Sequence, residues 1–479
     1  MQKNISTSAY QHIITSLSVL FILLNAVLIY NENYWLLLLP LAIIIILLSV
    51  ISLDKLILFI VFCTPLSITL QNYDARLALA LPTEPLIFGA MILVIIKVFY
   101  ERKFDVRIIN HPISYAIFFS SFWTFITCFT SEMPLVSFKF LISKLWFIIT
   151  FYFIATLMFK HYSNIKKFFW LYIIPLSVVI IYTVIRHSFY GFEQKPAHWV
   201  MDPFFNDHTS YGAIMAMFFP VLFLLFKSNY SKTIKLIVCI LFLIFTIGII
   251  LSYTRAAWVS LIVAFGLYLI YLFRIKLRTL IITGLCIIGL AFAFVDDILM
   301  KLEKNRQDAS TDLAEHVQSI SNISSDASNL ERLNRWQAAF RMFNERPIFG
   351  WGPGTYMFIY APFQHSSEKT IISTNAGNLG NAHSEYIGPL AEQGVLGSLS
   401  FIIILICVYH RGTKLYFNLE NNDSKRIVLV VLLGLTTYIV HGFLNNFLDT
   451  DKAAVPFWGF IAIIAALDIY HNKTEHTKI

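Results

Sequence analysis

Charge is scarce in this sequence: Asp, Glu, Lys and Arg make up 13% of its 479 residues, against about 25% in soluble domains. That shortage excludes a conventional soluble enzyme and a disordered tail. The five cysteines (Cys63, Cys128, Cys239, Cys286 and Cys407) show neither C-x-x-C nor Cys/His spacing. A secreted disulfide scaffold and a zinc site are therefore excluded, and each cysteine reads as a small apolar core residue. Also missing are Walker-type glycine loops, H-E-x-x-H, G-x-S-x-G and an obvious D-x-D pair. No cofactor and no metal are expected, so any reaction should draw its energy from the substrate itself. No internal repeat is present, which argues against two symmetric halves.

What the chain has instead is apolar surface, with 57% hydrophobic residues and 44 Phe. Such a chain has lipid as its main solvent. The fold expected is an all-α integral membrane protein of about 12–14 transmembrane helices with one large periplasmic loop domain that contains helices. Fourteen apolar runs can be placed, at about 12–30, 34–52, 55–70, 84–100, 113–130, 140–159, 168–187, 208–226, 234–251, 255–273, 278–295, 386–409, 427–446 and 453–470. Pro65 and Pro85 interrupt the third and fourth. The first run is too long for a signal-peptide core and is read as a retained span.

The net charge of +8 does not point to nucleic acid, because the basic residues lie in short connections between apolar runs. Arg102, Lys103 and Arg107; Lys160, Lys166 and Lys167; Lys227, Lys232 and Lys235; Arg274, Lys276 and Arg278; and Arg411, Lys414, Lys425 and Arg426 all fall on one side. By the positive-inside rule that side is cytoplasmic. Both termini are then cytoplasmic. The expected organisation is an N-terminal bundle over 1–295, an outer loop over 296–385, three further spans over 386–470 and a tail over 471–479.

The loop from 296 to 385 is too long to be a structureless connection. Its first half is rich in Ser, Asp and Asn. Its second half predicts a helix, opened by Ser328 with Glu331 as a capping box, striped by Leu330, Leu333, Trp336, Ala339, Phe340 and Phe343, and stopped at Arg346-Pro347. Gly350-Trp351-Gly352-Pro353-Gly354 then predicts a tight turn.

Several residues at the outer face have functional chemistry. Arg255 opens the tenth span, where an Arg either snorkels to headgroups or binds an anion such as a lipid phosphate. Arg332 and Arg335 stand in the first turns of the loop helix, where free N–H groups and guanidinium forks suit a diphosphate. The bland alternative is a solvated face in which Glu331 forms surface ion pairs with them. His383 precedes the twelfth span. A neighbouring helix N-terminus favours its neutral form and leaves a nitrogen to accept a proton, though a histidine at a membrane interface is unremarkable. Glu392, with Gly394 and Gly397, implies close packing or a break in a membrane helix. Asp207, His208, Asp449 and Asp451 face the same side, so Asp207, His208, Glu392 and Asp449 are candidates to line one cavity.

In their order and spacing, three motifs together resemble the O-antigen ligase and O-antigen polymerase superfamily. They are Thr254-Arg255-Ala256-Ala257-Trp258, Arg332-x-x-x-Trp336 running into Arg346-Pro347-Ile348-Phe349-Gly350-Trp351-Gly352, and Asn381-Ala382-His383-Ser384-Glu385-Tyr386 with Glu392-Gln393-Gly394 and Gly397. The resemblance covers roughly residues 200–460. The family shows Asn after the histidine, where this chain has Ser384. The resemblance implies a metal- and nucleotide-independent glycosyltransferase on the outer face of the bacterial inner membrane. Its donor would be a glycan on undecaprenyl pyrophosphate, its acceptor lipid A-core or another glycan, and its other partner the membrane lipid. It also implies that Arg255 and Arg332 hold the pyrophosphate and that His383 acts on the acceptor hydroxyl. Arg335 has no clear counterpart and stays a secondary candidate.

Ligase is the leading reading because of the bulky outer loop. The alternatives are a polymerase joining lipid-linked repeat units, a protein O-glycosylating relative and, from another class, a lipid-linked oligosaccharide flippase. A flippase should show related halves and charges deep in its spans. Here Lys144 is the main mid-span charge, which favours an enzyme.

Overall fold

The computed structural model describes residues 7–32, 35–40, 43, 52–72, 77–102, 104–276, 278–279, 327–370, 373 and 380–472. Residues 1–57 and 58–479 form two compact units. The first contains helix α1 (Thr7–Tyr30), whose Leu17, Leu20, Leu23 and Leu24 are exposed. Helix α2 (Leu53–Cys63) ends at a turn of 3-10 helix over Thr64–Leu66 that contains Pro65. Proline has no N–H for the ladder, and its ring collides with the preceding turn.

An antiparallel hairpin of strands β1 (Ile68–Asn72) and β2 (Leu77–Leu81) follows, with Ile68 opposite Leu81 and Leu70 opposite Leu79. The expected span at 55–70 is therefore replaced by a short helix and a strand. A short apolar run looks the same in either state, and here proline decided between them.

Ten helices among the described residues are long and apolar enough to cross a membrane, and they fall on ten of the expected runs. They are α3 (Thr83–Glu101), α4 (Pro112–Phe129), α5 (Pro134–Met158), α6 (Tyr162–Ser188), α7 (His208–Lys227), α8 (Lys232–Leu251), α9 (Arg255–Leu272) and, after the loop helix α10 (Ala327–Glu345), α11 (Ile387–Asn418), α12 (Asn422–His441) and α13 (Asp451–Tyr470). Pro85 does not break α3, because it lies in the first turn, where a missing N–H costs little. Most of the expected runs 278–295 and 34–52 lies outside the described residues, as does the loop from 296 to 326. The chain is an all-α, multi-pass membrane protein.

Burial orders the bundle. In α13 the share of the apolar stretch buried is 89%, in α7 and α12 it is 72%, and in α8 and α9 it falls to 28% and 22%. The first three therefore form the protein core, and the last two present most of their surface outward. Cys239 on α8 is accordingly exposed, whereas Cys128 is buried. Helix α7 packs on α12 and α8, α9 on α12, and α4 on α11.

Asp451, expected on the outer side, and its neighbour Lys452 are buried in the first turn of α13. Asp451 accepts hydrogen bonds from Ser67 and Thr83, and the Lys452 ammonium donates to the carbonyls of Thr64 and Ser67. This polar knot fastens the β-hairpin connection to α13.

Helix α10 is already formed at Ala327, so Ser328 lies within its first turn. Its buried face is Glu331, Asn334, Arg335, Ala338, Ala339 and Met342, whereas Leu333 and Phe340 are exposed. The expected apolar stripe is thus rotated, and polar residues point inward. Ala339 and Met342 pack with Tyr356, Tyr360, Ala382, Ile387 and Ala391 in one small core that joins the loop to the start of α11.

Helix α11 is interrupted at Gly394, whose φ of 69° lies in the left-handed region. The turn after α10 plugs into this break: Trp351 N–H donates to the carbonyl of Ala391 (3.1 Å), Gly352 N–H to that of Glu392 (2.7 Å), and Val395 N–H to that of Pro347 (3.0 Å). Carbonyl and amide groups freed by the broken helix thus find partners in the loop.

Candidate functional site

The ends of α7 and α9 are clamped together. Asp207 caps α7, its carboxylate accepting from the N–H groups of Thr209 (2.7 Å) and Ser210 (2.8 Å). The Thr254 hydroxyl donates to the carbonyl of His208 (2.8 Å). A Cβ on Gly212 would lie 2.7 Å from Thr254, so only glycine admits this approach. Arg255, the first residue of α9, is thereby held beside the start of α7.

On α10, Arg335 is not on a solvated face. Its Nε donates to Glu331 Oε1 (2.6 Å), its guanidinium lies 4.3 Å from the ring centre of Tyr360, and both members of the ion pair are buried. Burial alone would raise the Glu331 carboxyl, but hydrogen bonds from Ser373, Arg335 and Thr370 together hold it below its ordinary value. Arg332, half-buried on the adjoining face, is placed differently. Its charge acts on His383, His208 and His441, which sit on three separate elements.

His383 has a left-handed backbone (φ 48°), and its N–H donates to the side-chain oxygen of Asn381 (3.0 Å). The Ser384 hydroxyl accepts from the N–H groups of Tyr386 and Ile387 at the entry to α11. Burial, then the positive charges of Arg332 and Arg335, push the His383 imidazole down to about 4. Burial and the two arginines thus favour the neutral ring.

Two further histidines belong to this cluster and were not singled out from the sequence. The rings of His198 and His208 are 4.1 Å apart. His441, fully buried at the end of α12, lies in the field of Asp207, Arg332 and His208. An ionisable residue at the end of a membrane span was the available signal for His441; His198, in a loop, gave none.

Glu392 and Asp449 lie elsewhere. They line a cavity of about 250 Å³ together with Lys144, Glu385 and Asn446, and neither Asp207 nor His208 is in its wall. The four candidates therefore divide between two places rather than sharing one. Asn381, Ala382, Ser384 and Glu385 also line the cavity, so the segment carrying His383 is the partition. Glu385 accepts from Tyr438 (2.7 Å) and from the N–H groups of Phe447 (2.8 Å) and Leu448 (3.0 Å), yet burial pushes its carboxyl up to about 7. Asp449 has accessible surface, yet desolvation by its surroundings raises its carboxyl to about 6. Among the described residues no group of three or more His, Cys, Asp or Glu side chains is placed to hold a metal ion.

Fold and site define a polytopic membrane protein with an arginine–histidine cluster and a separate cavity lined by carboxylate side chains. Residues 240–402 match the family model described as O-antigen ligase. No curated protein matches the sequence.

Proposed function

We propose that the protein transfers a glycan from undecaprenyl pyrophosphate to an acceptor hydroxyl on lipid A-core, at the outer face of the bacterial inner membrane with both chain ends in the cytoplasm. The observation that carries this reading is that Arg332 stands close enough for its charge to bear on His383, His208 and His441. A cation among imidazoles offers a place for a diphosphate next to a proton acceptor.

In the proposed reaction the acceptor oxygen attacks C1 of the reducing-end sugar. The C1–O bond to pyrophosphate breaks, its electron pair leaves with undecaprenyl pyrophosphate, and the hydroxyl proton passes to His383. Arg255 and Arg332 neutralise the charge that grows on the leaving group, and the energy comes from the activated sugar, with no cofactor called upon. The bound diphosphate also offsets the arginine charges that depress His383, so its basicity rises when the donor is in place. One in-line displacement inverts the anomeric centre, and retained configuration in the product would rule it out.

The test uses full-length protein in nanodiscs with purified donor and lipid A-core. Arg255→Ala, Arg332→Ala and His383→Ala should each reduce transfer by about 10²-fold or more while the thermal unfolding midpoint stays near that of the wild type. Near-normal transfer by His383→Ala would remove the proton-acceptor role. In a deletion strain, core without O-antigen and accumulated lipid-linked polymer support a ligase. Core capped by a single repeat would replace that reading with a polymerase, and lipid-linked units retained on the cytoplasmic side would replace it with a flippase.

A further inference from the structure

The cavity behind His383 differs in chemistry from the arginine–histidine cluster in front of it. Three carboxylate residues, Glu385, Glu392 and Asp449, line it against one ammonium, Lys144, which donates to the hydroxyls of Ser120 and Thr124 (both 3.2 Å). Its walls also include the rings of Phe401 and Trp458. The side-chain oxygen of Asn446 is buried and has no hydrogen-bond partner among the described residues. A buried amide oxygen costs free energy unless a donor reaches it.

The volume of about 250 Å³ lies below the ~300–1,000 Å³ of sites for drug-sized ligands, which suits a single small ring. Carboxylate and amide oxygens accept from hydroxyls, and aromatic faces pack against C–H surfaces. The surplus of acidic groups repels phosphates and carboxylated sugars. From this combination we propose that the cavity seats one uncharged sugar ring of the glycosyl acceptor, beside the segment that carries His383.

The assignment to the acceptor rests on the glycosyltransferase reading, whereas sugar binding can be measured without any transfer. Saturation-transfer NMR on full-length protein in nanodiscs would use methyl β-glucoside, methyl β-galactoside and methyl β-glucuronide as probes. The two neutral glycosides should receive saturation and the glucuronide should not. The signal should persist in Arg332→Ala and fall at least fivefold in Asn446→Leu and in Asp449→Leu, with unfolding midpoints recorded for each. Absence of saturation transfer in the wild type overturns the proposal, and that spectrum needs no variant to fold. A signal lost in Arg332→Ala but unchanged in the cavity variants also overturns it, by placing the sugar at the cluster. Sugar binding that follows the expected pattern in a protein without transfer activity would keep the subsite and remove the enzyme reading.

Discussion

The carbonyl oxygen of Ile348 fills the space where a side chain on Gly394 would begin. A Cβ built there falls well inside van der Waals contact with it, and the backbone of Gly394 is itself left-handed. Gly394→Ala should therefore cost ~3 kcal/mol or more, from strain and from the displaced turn together. The thermal midpoint of the detergent-purified variant is the readout, and one within a degree of the wild type would mean the turn does not depend on this break.

Arg335 and Glu331 form a buried pair, so removing Arg335 leaves a buried carboxylate with only its neutral donors Ser373, Thr370 and Asn334. Arg335→Ala is expected to destabilise by about 3–5 kcal/mol. Arg335→Lys should recover only part of this, because an ammonium lacks the planar fork stacked on Tyr360. Arg332→Ala, by contrast, should change transfer far more than stability. Unfolding curves of the three variants, measured side by side with transfer rates, separate the two arginines.

His383 titrates at about 4 in the folded protein and near 6.5 when unfolded. As pH falls from about 6.5 towards 4, the unfolded chain takes up a proton that the folded protein refuses. Stability from this residue is complete above that window and is lost through it. The stability difference between wild type and His383→Gln should vary with pH between about 4 and 6.5 and be flat above. If His383 accepts the reaction proton, kcat/KM for the donor should show its acid limb near 4, and the limb of kcat should lie at higher pH once diphosphate is bound. A limb at the same pH in both would contradict the proposed effect of the donor.

Glu385 shows the opposite sign. Its carboxyl is raised to about 7, so the folded protein holds a proton there that the unfolded chain releases at about 4.3. Stability from this group is present at low pH and declines as pH rises through that window. Glu385→Gln keeps an acceptor for Tyr438, Phe447 and Leu448, and it should raise stability at pH 8 by ~1–2 kcal/mol while changing little at pH 4. An equal effect at both values would show that the gain has another origin.

Much of the bundle could be read from hydropathy alone, since a membrane helix must be long and apolar whatever it packs against. The break at Gly394 was legible for a similar reason: two glycines inside a span have few uses other than close approach or interruption. The inward face of α10 was not legible. Glu331, Asn334 and Arg335 turn in because Ser373, Gln364 and Tyr360 offer partners, and those are tertiary contacts that no periodicity encodes. Arg255, Arg332 and His383 stood out through neighbouring motifs. His441 looked like the end of an ordinary span until folding set it among the charges of α7 and α10. The division of Asp207 and His208 from Glu392 and Asp449 is likewise invisible in sequence, because the wall between them is built from Asn381 to Glu385 themselves.

The burial of α13 has a consequence for how the molecule is made. This helix lies C-terminal to every other described element, yet the first turn of α13 secures the hairpin near residue 68 and its length forms the core on which earlier helices pack. During synthesis the preceding spans enter the bilayer before that core exists, so they must wait as loosely associated helices. Final assembly, and with it the junction of cluster and cavity, comes only when the last helix inserts. Ribosomes that stop short of Asp451 would leave behind an inserted but unassembled protein.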